Sequence, residues 1–356
     1  MNVMTDGRGN LNSLENETGR KGLNNSVPPE TKDNLNIILG HNEKGAFSID
    51  LQKVPHLLIA GAPGTGKTSF VESLLVKMIC QNSPESVQII IYTSDDSQYA
   101  GFDNNPYIIE KRSIDHHELR TSFEAIVELI DYRLSHSSTP RNLDEYSDLF
   151  IVIDDCSFIT QYSWAKQMLY WLIQDGRIAK IHLVLVTSTP LSSDIPPRIR
   201  DGIPHRIAFN TGTGSISRVL INKYGAEKLQ IPGQMILKGP NILEKLDGIH
   251  LSDLEIRTTL RQSTAEYNGN PSSTNILFQS LKNEIEEESI AASYNYTGTG
   301  SQSYTAEGKR PYKKKEPDKT GVKAKINNKK SPIQQKLTLA GLIRRIMQTL
   351  FLKNID

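Results

Sequence analysis

Residues 61–68 read Gly61-Ala62-Pro63-Gly64-Thr65-Gly66-Lys67-Thr68, directly after the apolar run His56–Ala60 and directly before the helical stretch Ser69–Cys80. A strand that turns into a helix through glycines gathers backbone N–H groups at the positive end of the helix. That arrangement cradles phosphate. Lys67 would reach the β and γ oxygens of ATP and Thr68 would ligate Mg²⁺. Gly61, Ala62, Pro63, Gly64, Thr65, Gly66 and Ser69 would complete the nucleotide-binding loop. The order of strand, loop and helix demands an α/β framework.

A matching second half lies about ninety residues on. Leu149–Ile153 is wholly apolar and ends in Asp154-Asp155, so two carboxylates would emerge at a strand's carboxyl end beside the phosphate loop. Asp154 would hold Mg²⁺ through water. Asp155 would either polarise the attacking water or cap the next turn. Further apolar runs, Asn36–Leu39, Ala46–Ile49, Val87–Tyr92, His182–Thr187 and Arg206–Phe209, alternate with helical stretches. Such runs predict a mostly parallel central sheet covered by helices on both faces. Val87–Tyr92, between the two motifs in sequence, is expected to be the strand that motor-type ATPases insert between their phosphate and Mg²⁺ strands. The fold expected is thus a RecA-like P-loop ATPase.

The flanks differ from this body. Residues 1–33 are polar and aperiodic and are expected to form a disordered arm, which leaves a folded P-loop domain at 34–262. Residues 263–330 read as a low-complexity linker, basic at 309–330, with one acidic segment, Thr274–Ser289, that suits a short helix. Residues 331–353 place Ile333, Leu337, Ala340, Ile343, Met347 and Leu350 at helical spacing beside Lys336, Arg344, Arg345 and Lys353, a basic amphipathic helix. Two uses are open to it: docking on the body or a neighbouring subunit, or contact with a membrane-anchored partner or anionic membrane. The net charge of +1 hides an asymmetry, since residues 309–356 carry 14 Lys and Arg against three acids. A polyanion would meet the tail first. No apolar run approaches the ~20 residues of a membrane span and no signal-peptide core opens the chain, so a cytoplasmic protein, peripheral to a membrane at most, is expected. The two cysteines, Cys80 and Cys156, sit in apolar runs and read as small buried hydrophobes.

Five ordered stretches between residues 35 and 255 resemble the motor domain of the FtsK/SpoIIIE family of DNA translocases. These are Ile38-Leu-Gly40 with Val54-Pro-His-Leu-Leu-Ile-Ala-Gly61, then Arg141–Tyr146, then Gly176–Pro190. Ile203–Phe209 follows, and last come Ser217-Arg218 with Gly225–Leu229 and Pro232–Met235. The resemblance implies a homo-oligomer, a hexameric ring that hydrolyses ATP between subunits and moves double-stranded DNA through its channel. Arg177 matches the position whose guanidinium reaches the neighbour's γ-phosphate in trans. A surface role for Arg177 stays open, as do interface roles for Arg206 and Arg218.

The chain also departs from the family's pattern. Asp155 stands where Glu is usual, Ser188-Thr189 where Gln-Arg precedes a proline, and Ser94-Asp95-Asp96 where Asp-Pro-Lys is common, and Ile216 replaces an acid. Slow hydrolysis would follow from the shorter Asp155. The length leaves no room for a membrane-spanning N-terminus or a winged-helix domain after the motor, which favours a motor of a mobile element or conjugative DNA transfer. A protein-export motor and a non-hydrolysing, nucleotide-locked assembly module are the competing readings. Elsewhere, His116-His117 read as a solvated helix start, Trp164, Tyr170 and Trp171 as packing or subunit contact, and Lys313–Lys315 as either a phosphate contact or solvated linker.

Overall fold

The apolar runs become strands because they are buried from both sides. In β3 (His56–Ala60), Leu57 and Ile59 join one core cluster while Leu58 and Ala60 join the other, so the continuous run fills two opposite faces. The computed structural model describes residues 35–297 apart from 96, 114–115, 137–145, 189, 192–194, 231 and 268, with backbone alone at 116–117 and 291–297. The expectations for the arm at 1–33, the linker beyond 297, Lys313–Lys315 and the 331–353 helix lie outside the described residues. So do those for 141–145, Asp96 and Thr189, and for the side chains of His116 and His117.

The remaining strands are β1 (Asn36–Asn42), β2 (Gly45–Asp50), β4 (Val87–Thr93), β5 (Ile108–Ser113), β6 (Asp148–Ile153), β7 (Ile181–Thr187), β8 (His205–Ala208), β9 (Gln234–Lys238) and β10 (Leu243–Gly248). They form one sheet in the order β2-β1-β10-β9-β8-β3-β7-β6-β4-β5. From β8 to β5 every pairing is parallel. From β9 to β2 every pairing is antiparallel.

Helices cover both faces. On one lie α1 (Lys67–Gln81) and α7 (Asp253–Glu266); on the other lie α2 (His116–His136), α4 (Ser163–Asp175) and α8 (Ser273–Thr297), with the shorter α3 (Ser157–Thr160), α5 (Pro197–Gly202) and α6 (Gly214–Ile221) completing that layer. None of the described helices is long and apolar enough to cross a membrane.

Three expectations are corrected. The strand between the phosphate strand and the aspartate strand is β7, which pairs with β3 and β6; Val87–Tyr92 becomes β4, on the far side of β6. Order along the chain does not give order across a parallel sheet, because each crossover can land on either side. Cys80 is exposed at the end of α1, whereas Cys156 is buried. The stretch expected as linker from residue 263 carries the end of α7 and then α8, which contains the helix expected at Thr274–Ser289 and runs further, to Thr297. Few apolar residues seat α8, chiefly Phe278 and Ile285. Buried polar pairs supply the rest: Lys282 with Glu110 of β5 at 2.8 Å, and Thr274 with Arg133 of α2 at 2.9 Å.

Candidate functional site: the phosphate loop and its aspartate

The phosphate loop leaves β3 and enters α1 as the sequence requires. The N–H of Gly61 donates to the carbonyl of Thr187 at the end of β7, and the N–H of Ala62 donates to the carbonyl of Asn210, just past β8, so the loop is fixed from both flanks. Gly64 and Gly66 hold φ of 75° and 98°, the left-handed region that side chains rarely enter. A side chain at Gly64 would meet no atom within 4 Å, so the loop's outer face is open. The carbonyl of Thr65 accepts from the N–H of Gly233, in the turn before β9.

Lys67 folds back over this loop. Its Nζ donates to the Ala62 carbonyl at 3.0 Å, and the residue is 8% exposed. Burial pushes its ammonium down, while the charges of Asp154 and Asp155 hold it up. Thr68 Oγ1 donates to Asp154 Oδ2 at 3.1 Å, which joins the loop to the end of β6. Burial pushes the Asp154 carboxyl up, against the hydrogen bonds from Tyr99 and Thr68 and the charge of Lys67. An open glycine cradle, a buried ammonium beside it and a hydroxyl–carboxylate pair at its foot fit a nucleoside triphosphate with a divalent cation. Thr68 and Asp154 would hold the cation, which when bound neutralises phosphate charge.

Asp155 adopts a left-handed conformation, φ 64°, and accepts a hydrogen bond from Ser157 Oγ. It therefore engages the following turn and also lies within electrostatic reach of Lys67. Ser69 opens the second half of the loop–helix junction, where its carbonyl accepts from Ser73 Oγ at 2.7 Å.

Arg177 is not part of this cluster. It is exposed in the turn between α4 and β7, before the first residue of a strand that ends beside the loop. The length of β7, about 20 Å at ~3.3 Å per residue, separates it from the loop of its own chain. Its turn is rigidly held: Arg133, wholly buried, donates to the carbonyls of Ala179 and Lys180. Arg206 loses its interface role, because its guanidinium donates to the carbonyls of Ile203, Leu220 and Arg200 and is buried. Arg218 is exposed on α6. Trp164 packs edge-on against Phe123 at 6.1 Å.

Sequence reasoning missed Tyr99 and Glu72. Tyr99 OH donates to Asp154 Oδ2 at 2.8 Å, and burial together with that carboxylate keeps the phenol protonated. Burial weakens the acidity of Glu72, with the Asp154 charge nearby acting in the same direction, against the pull of the Tyr99 backbone. Neither belongs to a motif, and a tyrosine in the polar stretch after β4 carries no signal of its own.

A phosphate loop after β3 and an aspartate after β6, two parallel strands that flank β7 and are joined by the Thr68–Asp154 hydrogen bond, define a P-loop ATPase domain. The FtsK/SpoIIIE family model matches residues 28–224. The chain belongs to the FtsK/SpoIIIE family. DNA translocase FtsK of Corynebacterium glutamicum is 28% identical over 273 residues, which is 68% of this chain and 30% of that protein. The same-named protein of Caldanaerobacter subterraneus is 28% identical over 273 residues, 72% and 38% of the two chains. The chain thus spans about a third of the length of the curated relatives it matches. Among solved structures, the cytoplasmic domain of the Thermomonospora curvata type VII secretion ATPase EccC superposes with a TM-score of 0.61 at 18% identity, over 70% of this chain and 33% of that one. The pCW3 conjugation coupling protein TcpA gives 0.56 at 16% identity, over 65% and 71%. Both share the fold.

Proposed function

We propose that the chain is an ATP-driven translocase of double-stranded DNA that acts as a homo-oligomeric, hexameric ring and serves a mobile element or conjugative transfer. The observation that carries the reading is the Lys67–Thr68–Asp154 constellation at the carboxyl ends of β3 and β6, the parallel strands that flank β7, in a member of a family whose relatives are named DNA translocases. Lys67 stabilises charge on the transferred phosphoryl group, Asp155 orients the attacking water, and Thr68 and Asp154 hold Mg²⁺. Arg177 serves the neighbouring subunit. Its exposure, its rigid turn and its distance from its own phosphate loop all suit a guanidinium that completes another chain's site. The basic composition of residues 309–356 supports an encounter with DNA or an acidic partner, and the basic amphipathic pattern at 331–353 a membrane-anchored partner of a cytoplasmic motor.

The test is Mg-ATP hydrolysis by the full chain with and without long double-stranded DNA at low salt. Stimulation by DNA that Lys67→Ala abolishes is expected. Turnover indifferent to DNA would point to protein export instead, and nucleotide binding without turnover to a nucleotide-locked assembly module; either result contradicts the translocase reading.

A further inference from the structure

Asp154 Oδ2 receives two hydroxyl hydrogen bonds, one from Thr68 of the phosphate loop and one from Tyr99. The second donor comes from outside both nucleotide motifs, and the fold goes to some length to hold it. Tyr99 is 1% exposed and sits at φ 58°, a region a tyrosine rarely occupies. Its carbonyl accepts from Lys111 Nζ at 3.5 Å. Its ring lies 6.0 Å from that of Phe102, in the single 3₁₀ turn Ala100–Phe102 that follows. The segment is then tied to α7 by Asn105, whose Nδ2 faces the Leu260 carbonyl, Ser263 Oγ and Thr264 Oγ1 at 3.4, 3.0 and 3.2 Å. The phenol is thus a fixed donor aimed at one carboxylate oxygen.

A carboxylate that faces a divalent cation works best when its rotation is stopped by donors behind it, and loss of such a donor weakens the metal more than the rest of the ligand. We propose that Tyr99 is a positioning residue for the nucleotide's divalent cation: its hydroxyl, together with that of Thr68, presets the Asp154 carboxylate. This rests on the ATPase reading above. Tyr99 touches neither nucleotide nor water in this role, and acts through Asp154. It also makes α7 a support of the cation site, through Asn105.

The experiment follows binding of a fluorescent ATP analogue to the full chain as free Mg²⁺ is varied, for the wild type, Tyr99→Phe and Tyr92→Phe. Tyr92 is a second buried tyrosine whose phenol bonds Ser122 of α2, on the sheet face opposite α1; its carbonyl, which accepts from the Asp154 N–H, is kept in the variant, so the replacement reports the loss of a buried hydroxyl alone. For Tyr99→Phe the half-saturating Mg²⁺ is expected to rise about 10-fold or more, with Mg²⁺-free nucleotide affinity unchanged. Tyr92→Phe should leave both at wild-type values. A half-saturating Mg²⁺ within about twofold of wild type, or an equal loss of Mg²⁺-free affinity, overturns the role of Tyr99. A wild type that binds nucleotide without any Mg²⁺ dependence overturns the ATPase reading instead. Should Tyr99→Phe not fold, Asn105→Ala, which frees the segment from α7 and keeps the phenol, is expected to raise the Mg²⁺ requirement in the same direction; an unchanged requirement refutes the proposal.

Discussion

Lys67 shows how local structure prepares a charge for use. Its ammonium is buried against the Ala62 carbonyl, with the Asp154 and Asp155 charges within electrostatic reach, so it gains most when a phosphate arrives. Because hydrogen bonds to charged groups are worth about 1.5–3 kcal/mol, Lys67→Ala should weaken ATP binding about 10- to 100-fold, as titration with labelled nucleotide would read. Asp155→Asn should instead leave binding intact and slow turnover by about 100-fold or more, the range of a lost general base. His56 tests the core below the site. Its Nδ1 accepts the Leu183 N–H and its Nε2 donates to the Ile173 carbonyl, so the buried ring is neutral. Burial, with the charges of His182 and Arg177 in support, pushes it from 6.5 down to about 4. The unfolded chain therefore binds this proton first as pH falls. Stability is full above about pH 6.5 and declines toward pH 4, by up to about 3 kcal/mol from this group. Urea unfolding of His56→Gln against wild type across that range should show a shallower pH dependence in the variant.

At the scale of elements, α8 is where polar pairs do what apolar residues usually do. Lys282 and Glu110 are both buried, and Arg112 also contacts Glu110 at 2.6 Å. Lys282→Met leaves that carboxylate with Arg112 alone and should cost about 1.5–3 kcal/mol in urea unfolding, whereas the double replacement with Glu110→Leu should recover most of the loss. A double variant as unstable as the single one would show that the pair is not the seat of α8. These pairs also explain what the sequence hid. The parallel strands and the phosphate loop were legible because Leu57–Ala60, Leu149–Ile153 and Leu183–Val186 are apolar without interruption, and both faces must be covered. β5 was not, since Ile108–Ser113 contains Glu110, Lys111 and Arg112, which read as surface until their partners on other elements are known. β9 and β10 bury only Met235, Leu237 and Leu246, too sparse a pattern to separate from loop. Lys67, Thr68 and Asp154 could be read from spacing, because their chemistry is local to two motifs. Tyr99 could not, because its role depends on a contact across 55 residues.

At the scale of the whole molecule, the proposed ring requires that one chain hold half of a catalytic site. The loop, Lys67, Thr68 and Asp154 lie at the carboxyl ends of the parallel strands, while Arg177 stands at the opposite end of β7. A single chain cannot bring them together without taking its sheet apart, but a ring of like chains can, with one face of each subunit set against the other face of the next. The most direct measurement mixes two inactive variants, Lys67→Ala and Arg177→Ala, and follows ATP hydrolysis in the presence of long double-stranded DNA. Each alone should be nearly silent. In an equal mixture, about a quarter of the interfaces would pair an intact loop with an intact arginine if subunits assort at random, so activity should reappear. A mixture as silent as its components, or an Arg177→Ala protein that turns over at the wild-type rate, would contradict the account.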